Sequence, residues 1–345
     1  MKNKILLSIF ILLALATIYL LWMKFFAKDN FAKVEFTQFA VENAKEEVTK
    51  IFLADRENNV ALLEKQKDNL WSYTNVATGK KYIANPNAMN NLIETIEGIR
   101  VRNKVPQVGI KNVLRGIGTI GTKVEIYNRY NSKLRTYYIG GPADGGQGTF
   151  AVIEGSAIPY VVNIPHFAGT IDTRYNAKEP ALRDRAIVRH KTSDIEFMQV
   201  EYQSPEQRPY SFSIQTTPKY SVSNLFGSQK IDNKKLRKDY VDIYLESFNV
   251  LYAEMILYNK ELRDSIIRTA AFAKISYKYK NSEKINNFTI YPVINPSYDR
   301  GDGQPGLRQK LMRYYVDVEE DKFFLTQDIV MQKLLRPYEY FFDNQ

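Results

Sequence analysis

Short stretches of alternating apolar and polar residues recur along most of this chain, and they recur in one order twice. In the first series, residues 48–53, 59–63 and 70–73 alternate with the period of two that half-buries a strand. The period then changes. Met89, Leu92, Ile93, Ile96 and Ile99 fall three or four residues apart, which predicts a helix over 87–100 with one apolar face. A shorter helix is predicted over 110–117. Alternation returns at 123–127, 135–139, 149–153 and 160–162.

The second series repeats this order. Strands are predicted at 195–202, 210–214 and 219–222. A helix over 233–252 follows, carried by Leu236, Tyr240, Ile243, Tyr244 and Phe248, and a second over 261–270. Strands at 273–277, 287–291, 314–318 and 322–325 complete the copy. Most equivalent elements lie roughly 150 residues apart, the signature of an internal repeat. Asn131-Ser132 and Asn281-Ser282 suit hairpin turns in the two copies. Turn-bounded strands with few helices predict an α+β fold of two tandem, similar units with mainly antiparallel sheets. The first unit is expected over 47–176, a joint over 177–192, and the second unit, with an aromatic tail, over 193–345.

Ahead of the repeats the periodicity disappears. Ile5, Leu6, Leu7, Ile9, Phe10, Ile11, Leu12, Leu13, Leu15, Ile18, Leu20, Leu21 and Trp22 make a nearly continuous apolar run. Its length, roughly 18 residues, is close to what a helix needs to cross a bilayer. Tyr19 and Trp22 fall near one end, where amphipathic rings favour the interface. The expectation is a short cytoplasmic segment (1–4), a transmembrane anchor (5–26) and a polar connector (27–46). A cleaved leader would have a shorter apolar core ending in small residues, whereas this run ends Leu-Trp-Met-Lys-Phe-Phe. Lysines flank both ends, so charge does not fix orientation. The layout is that of a signal-anchor in the inner membrane with the soluble domain in the periplasm.

Composition removes several chemistries. With no cysteine there are no disulfides, thiolate zinc sites, iron–sulfur clusters or thiol nucleophiles, and two histidines argue against a histidine-rich metal site. The net charge of +10 is spread along the chain, densest at Lys230, Lys234, Lys235, Arg237 and Lys238. It suits a protein lying against anionic headgroups. No zinc-finger spacing or RNP-type strand points to nucleic acid.

Several segments match a known family pattern. They are Ile51-Phe52-Leu53 with Val60-Ala61-Leu62 and Trp71; Ala84-Asn85-Pro86-Asn87-Ala88-Met89 leading into Leu92-Ile93-Glu94-Thr95-Ile96; Lys123-Val124-Glu125-Ile126-Tyr127; Tyr138-Ile139-Gly140-Gly141-Pro142; Gly148-Thr149-Phe150; and Arg183-Asp184-Arg185. On these residues the chain resembles the bacterial family known as domain of unknown function 4340, over most of 47–215 and more loosely beyond. The resemblance implies a membrane-anchored envelope protein, often associated with components similar to gliding-type ABC transporters. It assigns no catalytic residue.

Candidate sites are few. Gly140, Gly141, Asp144, Gly145 and Gly146 lie in a glycine-rich stretch whose amides could hold an anion or a partner. It leads into a strand and lacks Gly-Lys-Ser/Thr, so it is no phosphate loop, and a hairpin connection is the plainer reading. The corresponding stretch in the second copy holds Asp299, Arg300 and Asp302 but lacks EF-hand spacing. Arg336, Tyr338, Tyr340 and Phe341 form an aromatic run that either folds back on its own domain or docks on a partner. No Gly-x-Ser-x-Gly elbow accompanies His166 or His190, and paired acids such as Glu46-Glu47 and Glu319-Glu320 sit in solvated charge runs. The expectation is a non-catalytic envelope protein without cofactor or metal. It is held to the lipid bilayer by its N-terminal helix and serves membrane or envelope protein partners as an accessory or scaffold subunit. The alternative is a periplasmic module capturing an envelope polymer or small solute between the two repeats.

Overall fold

The computed structural model describes residues 15–17, 19, 36–227, 235–293 and 313–343. The chain is α+β with antiparallel sheets and divides into two compact units between Asp184 and Arg185.

The first unit runs α1 (Ala44–Glu47), β1 (Lys50–Ala54), β2 (Val60–Lys65), β3 (Trp71–Asn75), β4 (Lys81–Ile83), α2 (Pro86–Gly98), β5 (Arg100–Lys104), α3 (Ile110–Ile120), β6 (Thr122–Tyr127), β7 (Lys133–Pro142), β8 (Thr149–Ile153), β9 (Tyr160–Asn163) and α4 (Glu179–Leu182). Its strands form one nine-stranded sheet in the order β4-β3-β2-β1-β6-β7-β8-β9-β5. The hairpins turn on asparagines that tolerate a left-handed backbone: Asn58 in β1–β2, Asn69 in β2–β3 and Asn131 in β6–β7. Asp55 fixes the first turn by accepting the Glu57 and Asn59 amides at 2.9 Å.

One face of the sheet is apolar at alternate positions, with Ile51, Leu53, Ala61, Leu63, Val124, Ile126, Tyr137 and Ile139 buried. Helix α2 covers it. Asn85 caps the helix by accepting from the Asn87 and Ala88 amides, Pro86 starts it, and Met89, Leu92, Ile93 and Ile96 bury its apolar stripe. The Tyr137 and Tyr175 hydroxyls meet at 3.0 Å inside this core. Phe39 packs edge-on to Tyr137 and Tyr160.

The second unit runs β10 (Ala186–Arg189), β11 (Ile195–Tyr202), β12 (Phe212–Gln215), β13 (Ser221–Asn224), α5 (Lys238–Ser247), β14 (Val250–Tyr252), β15 (Met255–Ile256), α6 (Lys260–Ile266), β16 (Ala273–Tyr279), β17 (Ile285–Pro292), β18 (Arg313–Glu319), β19 (Lys322–Gln327) and α7 (Asp328–Met331). Its main sheet has the order β13-β12-β11-β16-β17-β18-β19-β15. Apart from β4, this is the strand plan of the first unit: a meander, a helix, a strand carried to the far edge, a helix and a second meander. A separate pair joins β10 to β14.

Several expectations need correction. The connector over 27–46 is not a free tether throughout: from Phe39 to Val41 it is buried in the first core, and the Val41 amide donates to the Ile96 carbonyl. The joint over 177–192 is built into both units, since α4 and Arg183 belong to the first and β10 to the second. The helix over 233–252 stops at Ser247, and Val250–Tyr252 turns into a strand because it pairs with Ala186–Arg189. Among the described residues no helix is long and apolar enough to cross a membrane. The expected anchor at 5–26 lies outside the described residues except for Leu15, Ala16, Thr17 and Tyr19, which are helical.

Candidate functional site

The glycine-rich stretch divides into two parts with different physical reasons. Gly140 and Gly141 are inside β7. Tyr137 and Ile139 point into the main core, so alternation turns Gly140 to the opposite face, where Ile117 of α3 lies. A β-carbon at Gly140 would come within 2.7 Å of Ile117 Cγ1, and one at Gly141 within 3.2 Å of Ile120 Cδ1. These glycines admit a helix. Residues Asp144–Gly146 form a 3₁₀ turn in which Gly145 and Gly146 have positive φ, with open space where their β-carbons would be. That part is the turn of the β7–β8 hairpin.

Beside them the opposite face of the sheet carries its own small apolar cluster. Val105, Ala143 and Val161 are buried there, with Ile110, Val113 and Phe150 packed around them. Edge strand β5, α3 and the hairpin enclose a cleft of about 480 Å³ over this cluster. Its walls include Pro106, Val108, Val113 and Phe150, and Arg102 stands at its rim. The Arg102 guanidinium donates to the backbone carbonyl and the side-chain oxygen of Gln147, tying β5 to the hairpin. Gln147 is neutral, so the charge of Arg102 remains uncompensated by that contact.

A second cleft of about 640 Å³ lies on the first unit at the end of α2. It combines the half-buried Trp71 with Asn69, Asn90, Lys65 and Glu94.

The C-terminal aromatics are core residues. Phe341 is fully buried, with its ring 4.8 Å from Phe212 and 5.2 Å from Tyr244. Tyr338 is buried, Tyr340 leans on Tyr240 at 5.1 Å, and the Arg336 guanidinium lies over the Tyr340 ring at 5.1 Å. Of the two readings of this run, docking back on its own unit is the one the packing supports. Asp299, Arg300 and Asp302 lie outside the described residues. Among the described residues no group of three or more His, Asp or Glu is placed to hold a metal ion.

Sequence reasoning passed over three arrangements. Arg183 is buried with its guanidinium 3.7 Å over the Tyr82 ring, and it donates to Glu179 at 2.9 Å. Glu125 accepts from Tyr127, Lys123 and Lys133; burial opposes ionisation, but these donors outweigh it and hold the carboxyl at about 2. His190 sits among Phe248, Tyr277 and Tyr279, and neither ring nitrogen finds a hydrogen-bond partner among the described residues. Burial pushes it down to about 4, with Asp194 pulling weakly the other way. The sequence singled out the segments Arg183-Asp184-Arg185 and Lys123–Tyr127 and weighed His190 only as a triad member, without pointing to any of these contacts. The aromatic partners of His190 and Tyr82 beneath Arg183 come from distant elements that no local pattern links.

Compared with known proteins, the chain matches no family model, no curated protein and no solved structure.

Proposed function

We propose that this chain is a non-catalytic, membrane-anchored envelope protein acting as an accessory or scaffold subunit of a transporter-like or secretion-like complex. The observation that carries the reading is the apolar run ending at Trp22, placed ahead of two units with a common strand plan. In this reading the run is the anchor, in the inner membrane, and both units stand in the periplasm. A duplicated sheet offers two related binding faces, and edge strands β5 and β15 each leave one side of the backbone ladder unpaired within their sheets. The resemblance to domain of unknown function 4340 points the same way.

Crosslinking in the native membrane, mild solubilisation and mass spectrometry test this reading. The same transporter-like or secretion-like membrane subunits should be recovered in repeated captures. Recovery of no membrane or envelope partner contradicts it.

A second reading is favoured by the Trp71 cleft. An aromatic face bordered by amides and charges is suited to a sugar polymer, whose rings stack and whose hydroxyls need partners. Here the chain captures an envelope polymer or small solute. Thermal stabilisation by soluble envelope glycans, lost on Trp71→Ala, supports this reading, and no stabilisation by any of them removes it.

A further inference from the structure

The Trp71 cleft is walled by α1, the turn between β2 and β3, and α2. Leu70, Met89 and Ile93 give it an apolar side beyond the indole, and Met89 and Ile93 are core residues of the unit. Three polar groups stand around that surface: the Trp71 indole N–H and the side-chain amides of Asn69 and Asn90. None of the three has a hydrogen-bond partner among the described residues. The described lining also carries two lysines, Lys45 and Lys65, and two glutamates, Glu46 and Glu94. Lys65 Nζ donates to the Lys45 carbonyl at 2.8 Å.

The second unit treats the same place differently. Its corresponding hairpin is β12–β13 and its corresponding helix is α5. Tyr220 stands one residue ahead of β13, as Leu70 stands one residue ahead of β3. It is hydrogen-bonded to Asp242 of α5, and Lys238 of α5 lies over its ring at 4.8 Å. There the hairpin and helix bind one another. In the first unit they leave polar groups unpaired around a cleft of about 640 Å³, inside the range of about 300–1,000 Å³ usual for small-ligand sites. The fold itself does not require that opening, since its second copy is bridged.

The lining narrows the occupant. Balanced charge offers no steering to a polyanion. Strand β3 is paired on both sides, by β2 and β4, so no backbone ladder is open there to an extended peptide. A sugar ring stacks on an indole face. A plain hexose, however, would press hydroxyls against Leu70, Met89 and Ile93, and a hydroxyl buried without a partner is costly. An acetamido substituent suits the same surface. Its methyl meets the apolar side, its carbonyl accepts from the indole N–H or an amide NH₂, and its N–H donates to an asparagine side-chain oxygen.

We infer that the Trp71 cleft takes an uncharged N-acetylated amino sugar of an envelope glycan, with Asn69 and Asn90 selecting the acetamido group. The inference rests on the second reading above, that the chain captures an envelope polymer, and adds which sugar the cleft selects.

The chain has two tryptophans, Trp22 and Trp71, so Trp22→Phe leaves Trp71 as the only indole of the full chain. Its emission is followed in a zwitterionic, sugar-free detergent while β-1,4-linked tetramers of N-acetylglucosamine, glucosamine and glucose are added in turn. A further titration uses N-acetyl-trialanine amide, which carries the acetamide without a sugar ring. The N-acetylglucosamine tetramer should shift the emission and bind at least about tenfold more tightly than the glucose tetramer, the ratio expected of one satisfied against one unsatisfied buried polar group. Asn69→Gly, which keeps the left-handed turn at φ 64°, combined with Asn90→Ala should cut that ratio to about twofold or less while the unligated emission stays in place. An undiminished ratio in that variant overturns the inference. Equal binding of the acetylated and plain tetramers overturns it and leaves the polymer reading standing, as does tighter binding of the charged glucosamine tetramer. A response to the peptide as strong as to the N-acetylglucosamine tetramer also overturns it. Emission that moves with no oligosaccharide removes the polymer reading and the inference with it.

Discussion

Ile117 of α3 sits directly against Gly140 of β7, so closely that a β-carbon on residue 140 would lie 2.7 Å from Ile117 Cγ1. Real β-carbons do not approach that closely. Gly140→Val should force α3 away from the sheet and cost about 1–3 kcal/mol, the usual range for overpacking. Gly145→Ala meets nothing within 4 Å, but its φ of 73° strains an L-residue and should cost about 1–2 kcal/mol. Thermal denaturation measures both. Only the residue 140 variant should also speed amide exchange in α3.

His190 makes stability depend on pH. In the folded chain its pKa is held down to about 4, and in the unfolded chain an ordinary imidazole titrates near 6.5. Between these values the unfolded chain binds a proton that the folded chain refuses. The stability is whole above about pH 6.5 and is lost progressively as pH falls through about 4. His190→Phe keeps the ring packing and removes the titration. Denaturation midpoints of the variant should fall less between about pH 7 and pH 5 than those of the native chain. Equal slopes would show that His190 titrates normally.

Arg183 and Glu179 form a pair in which the arginine is only 4% exposed. Asn75 also donates to Glu179 at 3.0 Å, and Tyr82 supports the guanidinium. Arg183→Ala removes the counter-charge from a carboxylate that is itself largely buried, and should destabilise the first unit by about 3 kcal/mol. Glu179→Gln should cost less. A double-mutant cycle should give a coupling of about 1 kcal/mol or more, and additivity would contradict the pairing.

Phe341→Ala should cost about 3–5 kcal/mol, because the ring fills a pocket between Phe212 and Tyr244. The loss should appear as a lower melting temperature of the second unit. Unchanged stability would return this residue to the surface and to partner docking.

The strands that carried long alternation were readable in the sequence, and β11 coincides with its prediction at both ends, with Met198, Val200 and Tyr202 buried at alternate positions beyond a register shift between Ile195 and Phe197. Strands β4, β5, β10, β14 and β15 were not. Arg100–Lys104 is mostly charged and follows a helix, so β5 reads as a frayed helix end until β9 pairs with it. Phe248, Leu251 and Tyr252 fit a helical stripe as well as a strand, and the partner that decides, β10, lies about 60 residues earlier. Glycine pattern alone does not separate Gly140 from Gly145, because a crossing helix and a tight turn both demand the missing side chain. The cleft was illegible for the same reason: Arg102, Val113 and Phe150 come from three elements that only the sheet order brings together.

The central claim is that an N-terminal anchor holds both units outside the cytoplasm. Alkaline phosphatase fused after Gln345 tests it most directly, since the reporter is active only when exported. The account predicts an active reporter that sediments with the inner membrane and resists carbonate extraction. An inactive reporter, or an active one released into the soluble fraction, would contradict it.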